Sequence, residues 1–379
     1  MKILYITSSL EPKDGWGRYS SGIINEISKN NTVLVACFEP YKESKVSQNK
    51  ILHSAHSIVS PFKIFSSCLR VQKIINSFRP DAVHFIAEPY VMILPFLRIS
   101  PSTKVFLTAH GTYSFIPSIF VRERIKNFIS GVLIKKAYKK LNAIISVSFF
   151  TKQYLLRQYK DFYGVEFDQS KIVVVANGID LENFSHELTE TKDTSIKSIL
   201  FVGAIKNRKG VLESLQAIKK YKDKYGSDFV YNIAGPYKDN DIYLKQVTHK
   251  ISELGLEKEV KVLGKVTESQ LKYLYANSDL FLMLPIQDGF SVEGFGLVYL
   301  EANAYGVPTI GSLNSGAVDA IFEGVSGYVV DPFKAEDVAE RIHSIIDNKA
   351  IKVEDCKNWA EKHDIRSQAK LINDYYGVK

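Results

Sequence analysis

The stretch P-I-Q-D-G-F-S-V-E-G-F-G-L-V-Y-L-E-A-N-A-Y-G-V-P-T-I-G-S-L-N-S-G-A, residues 285–317, follows a short apolar run, L-F-L-M-L, at 280–284. Because that run is short and stops at a proline, it is typical of a buried strand. Helix-forming residues with an apolar face then extend from Leu297 to Tyr305, and Gly306 and Pro308 indicate where the helix ends. The stretch therefore predicts a buried strand that leads through a glycine loop into a helix.

The glycine loop lies at the N-terminus of the predicted helix. The first amides of a helix have no intrahelical partner, and the helix dipole places partial positive charge on them. Glycine has no side chain that would block a ligand from approaching the backbone. We therefore predict a phosphate site at the backbone of Gly294, Phe295, Gly296 and Leu297.

Two acidic residues flank these amides. Glu293 precedes the first glycine, and Glu301 lies about one turn inside the helix, where side chains lean back toward the N-terminus. The two carboxylates can bind hydroxyl groups on either side of a diphosphate, so the pattern fits a sugar, a diphosphate and a ribose in a row. The alternative is that Glu293 caps the helix electrostatically and Glu301 is solvated.

This stretch resembles the Glu, seven residues, Glu signature of retaining GT-B glycosyltransferases of the glycogen-synthase and lipid-mannosyltransferase-like group, of the family 4 type. The resemblance implies that Glu293 contacts the donor sugar and Glu301 the ribose. It also implies an α/β fold of two doubly wound, Rossmann-like parallel-sheet domains that face a cleft. The donor would be a nucleotide-diphosphate sugar, and neither a metal nor another cofactor would be needed.

The rest of the chain repeats the alternation of short apolar runs with amphipathic segments, which predicts parallel sheets flanked by helices. We place an acceptor domain at 1–184 and a donor domain at 198–359, joined by the polar linker Ser185–Lys197. A helical pattern follows over Trp359–Tyr376, and the resemblance implies that a helix at about 360–379 packs back on the first domain. The predicted strands are 2–7, 32–36, 82–86, 105–108, 143–147, 172–175, 199–202, 230–233, 260–263, 279–284 and 309–310.

Two cations follow the first strand of the second domain. When a nucleotide sugar breaks at its anomeric carbon, negative charge grows on the departing phosphate, and fixed cations there lower the barrier. The resemblance implies this role for Lys209, whereas Ala204 occupies the position of the usual arginine. Arg208 is then the candidate replacement. The alternative is that both are ordinary surface cations.

Several other residues resemble family positions. His110, after the strand at 105–108, resembles the donor-sugar contact, whereas we expect His84 to be a packing residue and Glu88 to line the acceptor side. The loop at 14–19 has Asp14 where the family's first glycine is usual. The remaining positions that the resemblance places around the nucleotide are Gly15, Gly17, Gly203, Gly235, Lys265 and Val266.

The charge is uneven along the chain. Residues 1–185 hold 24 Lys and Arg against 13 Asp and Glu, a net charge of +11, while the remainder carries −3. The first half is therefore expected to meet an anionic partner, whether nucleic acid, phospholipid or a phosphorylated acceptor. Residues 115–140 interleave cations with large apolar residues, which is typical either of a helix in a lipid interface or of a solvated helix on its own sheet.

Compartment and metal content are also suggested by the sequence. Three widely spaced cysteines, the absence of a cleavable signal and the absence of a long apolar run predict a cytoplasmic protein, soluble or peripheral at the inner face of the membrane. The run Asp239-Asn-Asp241 looks like the metal-binding Asp-x-Asp of another glycosyltransferase architecture, but its polar surroundings favour solvated surface. We expect no metal site.

These observations predict a retaining hexosyltransferase of envelope polysaccharide or glycolipid synthesis. Its expected partners are a nucleotide-sugar donor and a lipid-linked or anionic glycan acceptor, without nucleic acid. The alternatives are a sugar-nucleotide epimerase of the same architecture and a non-catalytic module that binds a nucleotide sugar or an anionic lipid. A nicotinamide-dependent dehydrogenase is disfavoured because no G-x-G-x-x-G opens the first domain.

Overall fold

A computed structural model describes residues 1–377, except 14, 56–59, 112–120, 165, 167, 185–195, 238–240 and 290. For 121–127, 159, 162 and 163 it describes the backbone alone. The chain folds as two compact units: unit 1 comprises Met1–Gly178 with Ile365–Lys379, and unit 2 comprises Ile179–Asp364.

Unit 1 contains a seven-stranded parallel sheet in the order β3-β2-β1-β4-β5-β6-β7. Each strand predicted in this half is present, and the edge strand β3 is additional. Four α-helices and the 3-10 helices Glu88–Phe96 and Gln169–Lys171 connect the strands. The strands are β1 (Lys2–Ile6), β2 (Thr32–Cys37), β3 (Ser47–Lys50), β4 (Ala82–Phe85), β5 (Lys104–Ala109), β6 (Ala143–Ser146) and β7 (Ile172–Val174), and the helices are α1 (Gly15–Ser28), α2 (Pro61–Phe78), α3 (Val121–Tyr138) and α4 (Phe149–Tyr163).

Unit 2 contains a six-stranded parallel sheet in the order β10-β9-β8-β11-β12-β13. Strands β8 to β12 were predicted from the sequence, and β13 was not. The strands are β8 (Lys197–Val202), β9 (Phe229–Ala234), β10 (Val260–Gly264), β11 (Leu280–Leu282), β12 (Thr309–Ser312) and β13 (Gly327–Val330). The helices are α5 (Val211–Tyr225), α6 (Ile242–Glu253), α7 (Glu268–Ala276), α8 (Leu297–Ala304), α9 (Ala317–Ala320), α10 (Ala335–Ile346) and α11 (Val353–Glu361).

A last helix, α12 (Ile365–Gly377), belongs to unit 1, where it packs against α1. Its Tyr376 hydroxyl lies 2.5 Å from Nδ1 of His84, whose Nε2 lies 2.8 Å from the Thr108 hydroxyl. Both ring nitrogens of this fully buried histidine are therefore satisfied, and burial lowers its pKa to about 3. His84 is a packing residue, as expected.

The segment boundaries differ from the predicted ones at two points. The pattern over Trp359–Tyr376 is not one helix, because α11 ends at Glu361 and α12 begins at Ile365. The first segment of unit 1 ends at Gly178, six residues before the predicted 184, and the Ile179 amide donates to the His363 carbonyl over 2.9 Å within unit 2. Residues 185–195 of the predicted linker lie outside the described residues, and Lys197 opens β8.

Candidate functional site

Three glycines meet at the carboxyl ends of β8, β9 and β10 in unit 2. The Gly235 amide donates to the Gly264 carbonyl over 2.8 Å, and a Cβ atom on Gly235 would lie 1.9 Å from the Gly203 carbonyl oxygen. Only glycine allows the backbones to approach so closely. Lys265, which is exposed, and Val266, which is half-buried, follow β10 at this same edge, where parallel α/β sheets usually bind ligands.

The loop after β8 is held against the end of β11. A 3-10 turn, Asn207–Lys209, is followed by Gly210 with φ of +66°. The Ile286 amide donates to the Arg208 carbonyl over 3.0 Å. A Cβ atom on Gly210 would lie 1.6 Å from the Leu284 carbonyl oxygen, so the backbone contact requires glycine. This contact fixes where Arg208 and Lys209 lie relative to the residues that follow β11.

Both cations contact one carboxylate oxygen. Arg208 Nη1 lies 2.7 Å and Lys209 Nζ 2.5 Å from Oε2 of Glu293. The Lys209 and Glu293 side chains are only 11% and 13% exposed, so the cluster is shielded from water. Burial opposes ionisation of Glu293, but the charges of Lys209 and Arg208 outweigh it and lower the pKa of Glu293 to about 2. Two cations and one carboxylate leave a net charge of +1, which suits an anionic ligand.

The backbone around Glu293 is fixed by the loop after β12. The Gly316 amide donates to the Glu293 carbonyl over 2.7 Å, and a Cβ atom on Gly316 would lie 2.2 Å from the Gly294 carbonyl carbon. Sequence reasoning missed Gly316. The signal was present, since Ser315-Gly316 follows a predicted strand in the same way as the other glycine loops.

The helix after Glu293 begins at the predicted residue. Gly296 has φ of +90° and caps α8, whose first residue is Leu297. Gly294 and Phe295 complete the connection, and the Phe295 side chain is buried. The first amides of an α-helix have no intrahelical acceptor, so this end of α8 can bind a phosphate next to the cation cluster.

Glu301 is buried rather than solvated. It is 5% exposed, and its Oε2 accepts a hydrogen bond of 2.9 Å from the hydroxyl of Tyr275, which is also buried. The alternative of a solvated Glu301 is therefore wrong. Tyr275 was not anticipated, because nothing in the sequence links the end of α7 to α8.

His110 lies in unit 1, at the carboxyl end of β5. Its Nε2 lies 3.1 Å from the Ile86 carbonyl oxygen, which can only accept, so Nε2 carries the proton and Nδ1 is the acceptor. The ring is edge-on to Tyr19 at a centroid distance of 4.8 Å. Burial lowers the pKa of His110 to about 4, which keeps the imidazole neutral at physiological pH.

Gly15 and Gly17 lie in the first turn of α1 rather than in a loop before it. Neither has a positive φ, so the helix accommodates both without special backbone geometry. This is a correction to the predicted loop, whose Asp14 lies outside the described residues. The same turn brings the Trp16 ring to 6.2 Å from His110.

Glu88 begins the 3-10 helix after β4 and is 3% exposed. Burial raises the pKa of its carboxyl to about 8, although the carboxyl also accepts the His110 backbone N–H. Within the part of the chain that the structure describes, Glu88 Oε2 has no hydrogen-bond partner. The carboxyl is therefore an interior group beside His110 and not an open surface acid.

Asp239 and Asn240 of the Asp-x-Asp run lie outside the described residues, and Asp241 caps α6 by accepting the Tyr243 amide over 2.9 Å. Among the residues with described positions, no cluster of three or more His, Cys, Asp or Glu is arranged to hold a metal ion. Over the same residues, no helix has the length and apolar character to cross a bilayer. Of the basic amphipathic region at 115–140, residues 115–120 lie outside the part of the chain that the structure describes.

Two parallel-sheet α/β units are the architecture of the GT-B class of glycosyltransferases, and solved glycosyltransferase structures share it, which confirms the predicted fold class. Residues 15–183 match the family model described as Glycosyltransferase Family 4, and residues 182–364 match the one described as Glycosyl transferases group 1. Both models describe glycosyltransferases and together they cover residues 15–364, so the chain is a glycosyltransferase.

Relatives and solved structures are similar to the chain over most of its length. The chain is 22% identical to a GDP-mannose-dependent monoacylated alpha-(1-6)-phosphatidylinositol monomannoside mannosyltransferase of Corynebacterium glutamicum, over 92% of this chain and 89% of that protein. A glycosyltransferase from Rickettsia africae ESF-5 shares the fold with a TM-score of 0.76 at 20% identity, covering 99% and 97% of the two chains. Anabaena Alr3699/HepE in complex with UDP and glucose shares it with a TM-score of 0.72 at 16% identity, covering 100% and 99%.

Proposed function

We propose that the protein transfers a hexosyl unit from a nucleotide-diphosphate sugar to an acceptor hydroxyl, with retention of configuration and without a metal ion. The observation that carries this proposal is the contact of Arg208 and Lys209 with Glu293 immediately before the N-terminus of α8. Cations and helix amides together suit a diphosphate, and a carboxylate beside them suits sugar hydroxyls. The Corynebacterium relative's name and the UDP bound to Alr3699/HepE support a nucleotide-sugar donor.

In this proposal the donor's diphosphate replaces Glu293 as the partner of the two cations. Lys209 and Arg208 then stabilise the charge that grows on the departing phosphate, and the α8 amides bind its oxygens. Glu293, released from the cations, accepts hydrogen bonds from the donor sugar. Glu301, oriented by Tyr275, binds the ribose, and the backbone at Lys265 and Val266 lies against the base.

Arg208 is the proposed substitute for the arginine that the family has at the position of Ala204. Its guanidinium shares a carboxylate oxygen with the Lys209 ammonium, so the two cations can act on one phosphate group. Arginine at this place presents a planar, permanently charged donor set. His110, neutral and with Nδ1 as acceptor, is proposed as a donor-sugar contact.

The proposed acceptor is a lipid-linked or anionic glycan of envelope polysaccharide or glycolipid assembly. The basic first half of the chain and the glycolipid acceptor in the Corynebacterium relative's name support this class. We further propose that the enzyme is cytoplasmic and peripheral at the inner face of the membrane, attracted by anionic head groups.

A thermal-shift screen of UDP-, GDP- and ADP-sugars tests the donor proposal, since a ligand that binds only the folded protein raises its unfolding temperature. We expect one nucleotide to stabilise the wild type, and Arg208→Ala and Lys209→Ala to lose that shift. Lys206→Ala, an exposed cation in the same loop, is the matched control. An unchanged shift in Lys209→Ala contradicts the diphosphate role, and the anomeric configuration of the product, read by NMR, tests retention.

A further inference from the structure

Helix α2 has two apolar faces. One packs into the core through Ile64 and Val71, as expected of a helix on a parallel sheet. The other consists of Phe62, Phe65 and Leu69, which are 76%, 63% and 56% exposed. Their spacing of three and four residues places these side chains on one side of the helix. Large apolar side chains grouped in this way are unusual on the surface of a soluble protein.

Helix α3 presents a second apolar surface over the part whose side chains are described. Phe128 is 73% exposed, and Ile129 and Val132 are exposed beside it. The same side of the helix continues with exposed lysines, so its solvent face from 128 onward consists of apolar residues followed by cations. These lysines are Lys135 and Lys136 in the helix and Lys139 directly after it.

The two helices contribute buried side chains to the same core cluster. Both pack against the 3-10 helix Glu88–Phe96, whose last residue, Phe96, is 55% exposed. Lys140, just after α3, donates to the Pro95 carbonyl over 3.0 Å and so ties the end of α3 to this 3-10 helix. We name this surface of unit 1 the apolar face: Phe62, Phe65, Leu69, Phe96, Phe128, Ile129 and Val132.

The charged residues of α2 and of residues 128–140, the two segments that carry most of the apolar face, have one sign. Helix α2 carries Lys63, Arg70 and Lys73 but no Asp or Glu, and residues 128–140 carry four lysines but no Asp or Glu. Two copies of such a face would repel each other, whereas a surface of anionic groups would attract it. Apolar side chains bordered by cations match the layering of a bilayer with anionic head groups.

We propose that the apolar face docks into the interface of an anionic lipid bilayer, with its aromatic and aliphatic side chains among the upper acyl chains and the surrounding cations at the head groups. The inference rests on the proposed function, because it would bring unit 1 to a lipid-linked acceptor. Lys135 and Lys139 also border a cavity of about 230 Å³, but Glu166 and Asp168 line it too. The head groups are therefore attracted by the surface as a whole and not by that cavity.

Vesicle flotation of the full chain tests the apolar contribution. With vesicles that contain phosphatidylglycerol, the variant Phe62→Ser/Phe65→Ser/Leu69→Ser should bind roughly tenfold more weakly than the wild type. The control Phe333→Ser/Ile242→Ser removes two side chains of unit 2 that are 72% and 75% exposed, and should bind like the wild type. Far-ultraviolet circular dichroism shows whether each variant is folded. Wild-type binding by the folded triple variant overturns the proposal.

The charge contribution has its own test. Phosphatidylcholine vesicles, added salt and the variant Lys135→Gln/Lys136→Gln/Lys139→Gln should each weaken binding; Lys140 is kept because it bonds to backbone carbonyls. Binding that is equal on neutral and anionic vesicles overturns the proposal. So does a wild-type dimer in sedimentation velocity that the apolar triple variant disperses, since a second copy would then cover the face.

Nucleotide-sugar thermal shifts on the same variants separate this inference from the proposed function. Intact shifts with no vesicle binding would reject only the docking surface. Vesicle binding without any nucleotide-sugar shift would reject the donor proposal instead.

Discussion

The backbone of Gly210 lies so close to the carbonyl oxygen of Leu284 that a Cβ atom on residue 210 would be 1.6 Å from it. We expect Gly210→Ala to destabilise the protein by about 2–4 kcal/mol, because the contact and the positive φ must both be relieved. The control Gly255→Ala also sits at positive φ, +61°, but meets no atom within 4 Å, and should cost only about 1 kcal/mol. Urea unfolding measures both. Equal costs would mean that the close contact relaxes freely.

Glu293→Gln should reduce transfer by ~10²-fold or more in kcat, because a contact proposed to form in the transition state is lost. It also leaves Arg208 and Lys209 without their carboxylate, which we expect to cost about 3 kcal/mol of stability. Asp288→Asn, an exposed acid in the same loop, is the control for both measurements. A folded Glu293→Gln enzyme with near wild-type kcat would reduce Glu293 to a structural acid.

The ion pairing of Glu293 also predicts that the stability of the fold decreases at acidic pH. The pKa of Glu293 is about 2 in the folded chain against an ordinary 4.5, so pairing stabilises the fold fully above pH 4.5. That stabilisation is lost as the pH falls toward 2. The stability difference between wild type and Glu293→Gln, followed by thermal unfolding, should therefore shrink as the pH is lowered through this range. A constant difference would show that the carboxylate's charge does not stabilise the cluster.

Tyr275→Phe removes the hydrogen bond to Glu301 and leaves the ring in place. If Glu301 binds the ribose, nucleotide affinity should fall by roughly five- to tenfold, because the carboxylate loses its orienting partner. Tyr273→Phe, at an exposed position in α7, should change nothing. Isothermal titration with the nucleotide identified by the thermal-shift screen gives the affinities. In the Glu301→Gln background Tyr275→Phe should have little further effect, and additive losses would argue against a shared role.

The buried carboxyl of Glu88 predicts the opposite pH dependence, a loss of stability as the pH rises. Its folded pKa of about 8 lies above the ordinary 4.5, so its stabilising contribution is full below pH 4.5 and is lost as the pH rises through 8. Glu88→Gln removes this titration, so the variant should become more stable relative to wild type as the pH rises from about 5 to about 9. Thermal unfolding of both proteins at these two pH values measures the change. An unchanged stability difference between the two proteins at the two pH values would mean that Glu88 ionises without cost.

The strands of both sheets could be predicted because buried parallel strands are almost continuously apolar, as β4 and β11 are. Ser47–Lys50 escaped prediction because a polar edge strand has no apolar pattern, and Gly327–Val330 because it is short and opens with glycine. Within the site, the glycines and both acids have local signals. The partners of those acids do not, since Arg208 and Glu293 are 85 residues apart in the chain and only the folded sheet brings them together.

The return of α12 to unit 1 has a consequence for the order of synthesis. The helix follows unit 2 in the sequence, so a growing chain must complete the whole of unit 2 before Tyr376 can reach His84. Until then Nδ1 of His84 lacks its Tyr376 partner, and the face of α1 that α12 covers is not yet packed. Unit 1 is therefore translated first but completed after unit 2. A ribosome that stops early would release a chain whose first unit is incomplete.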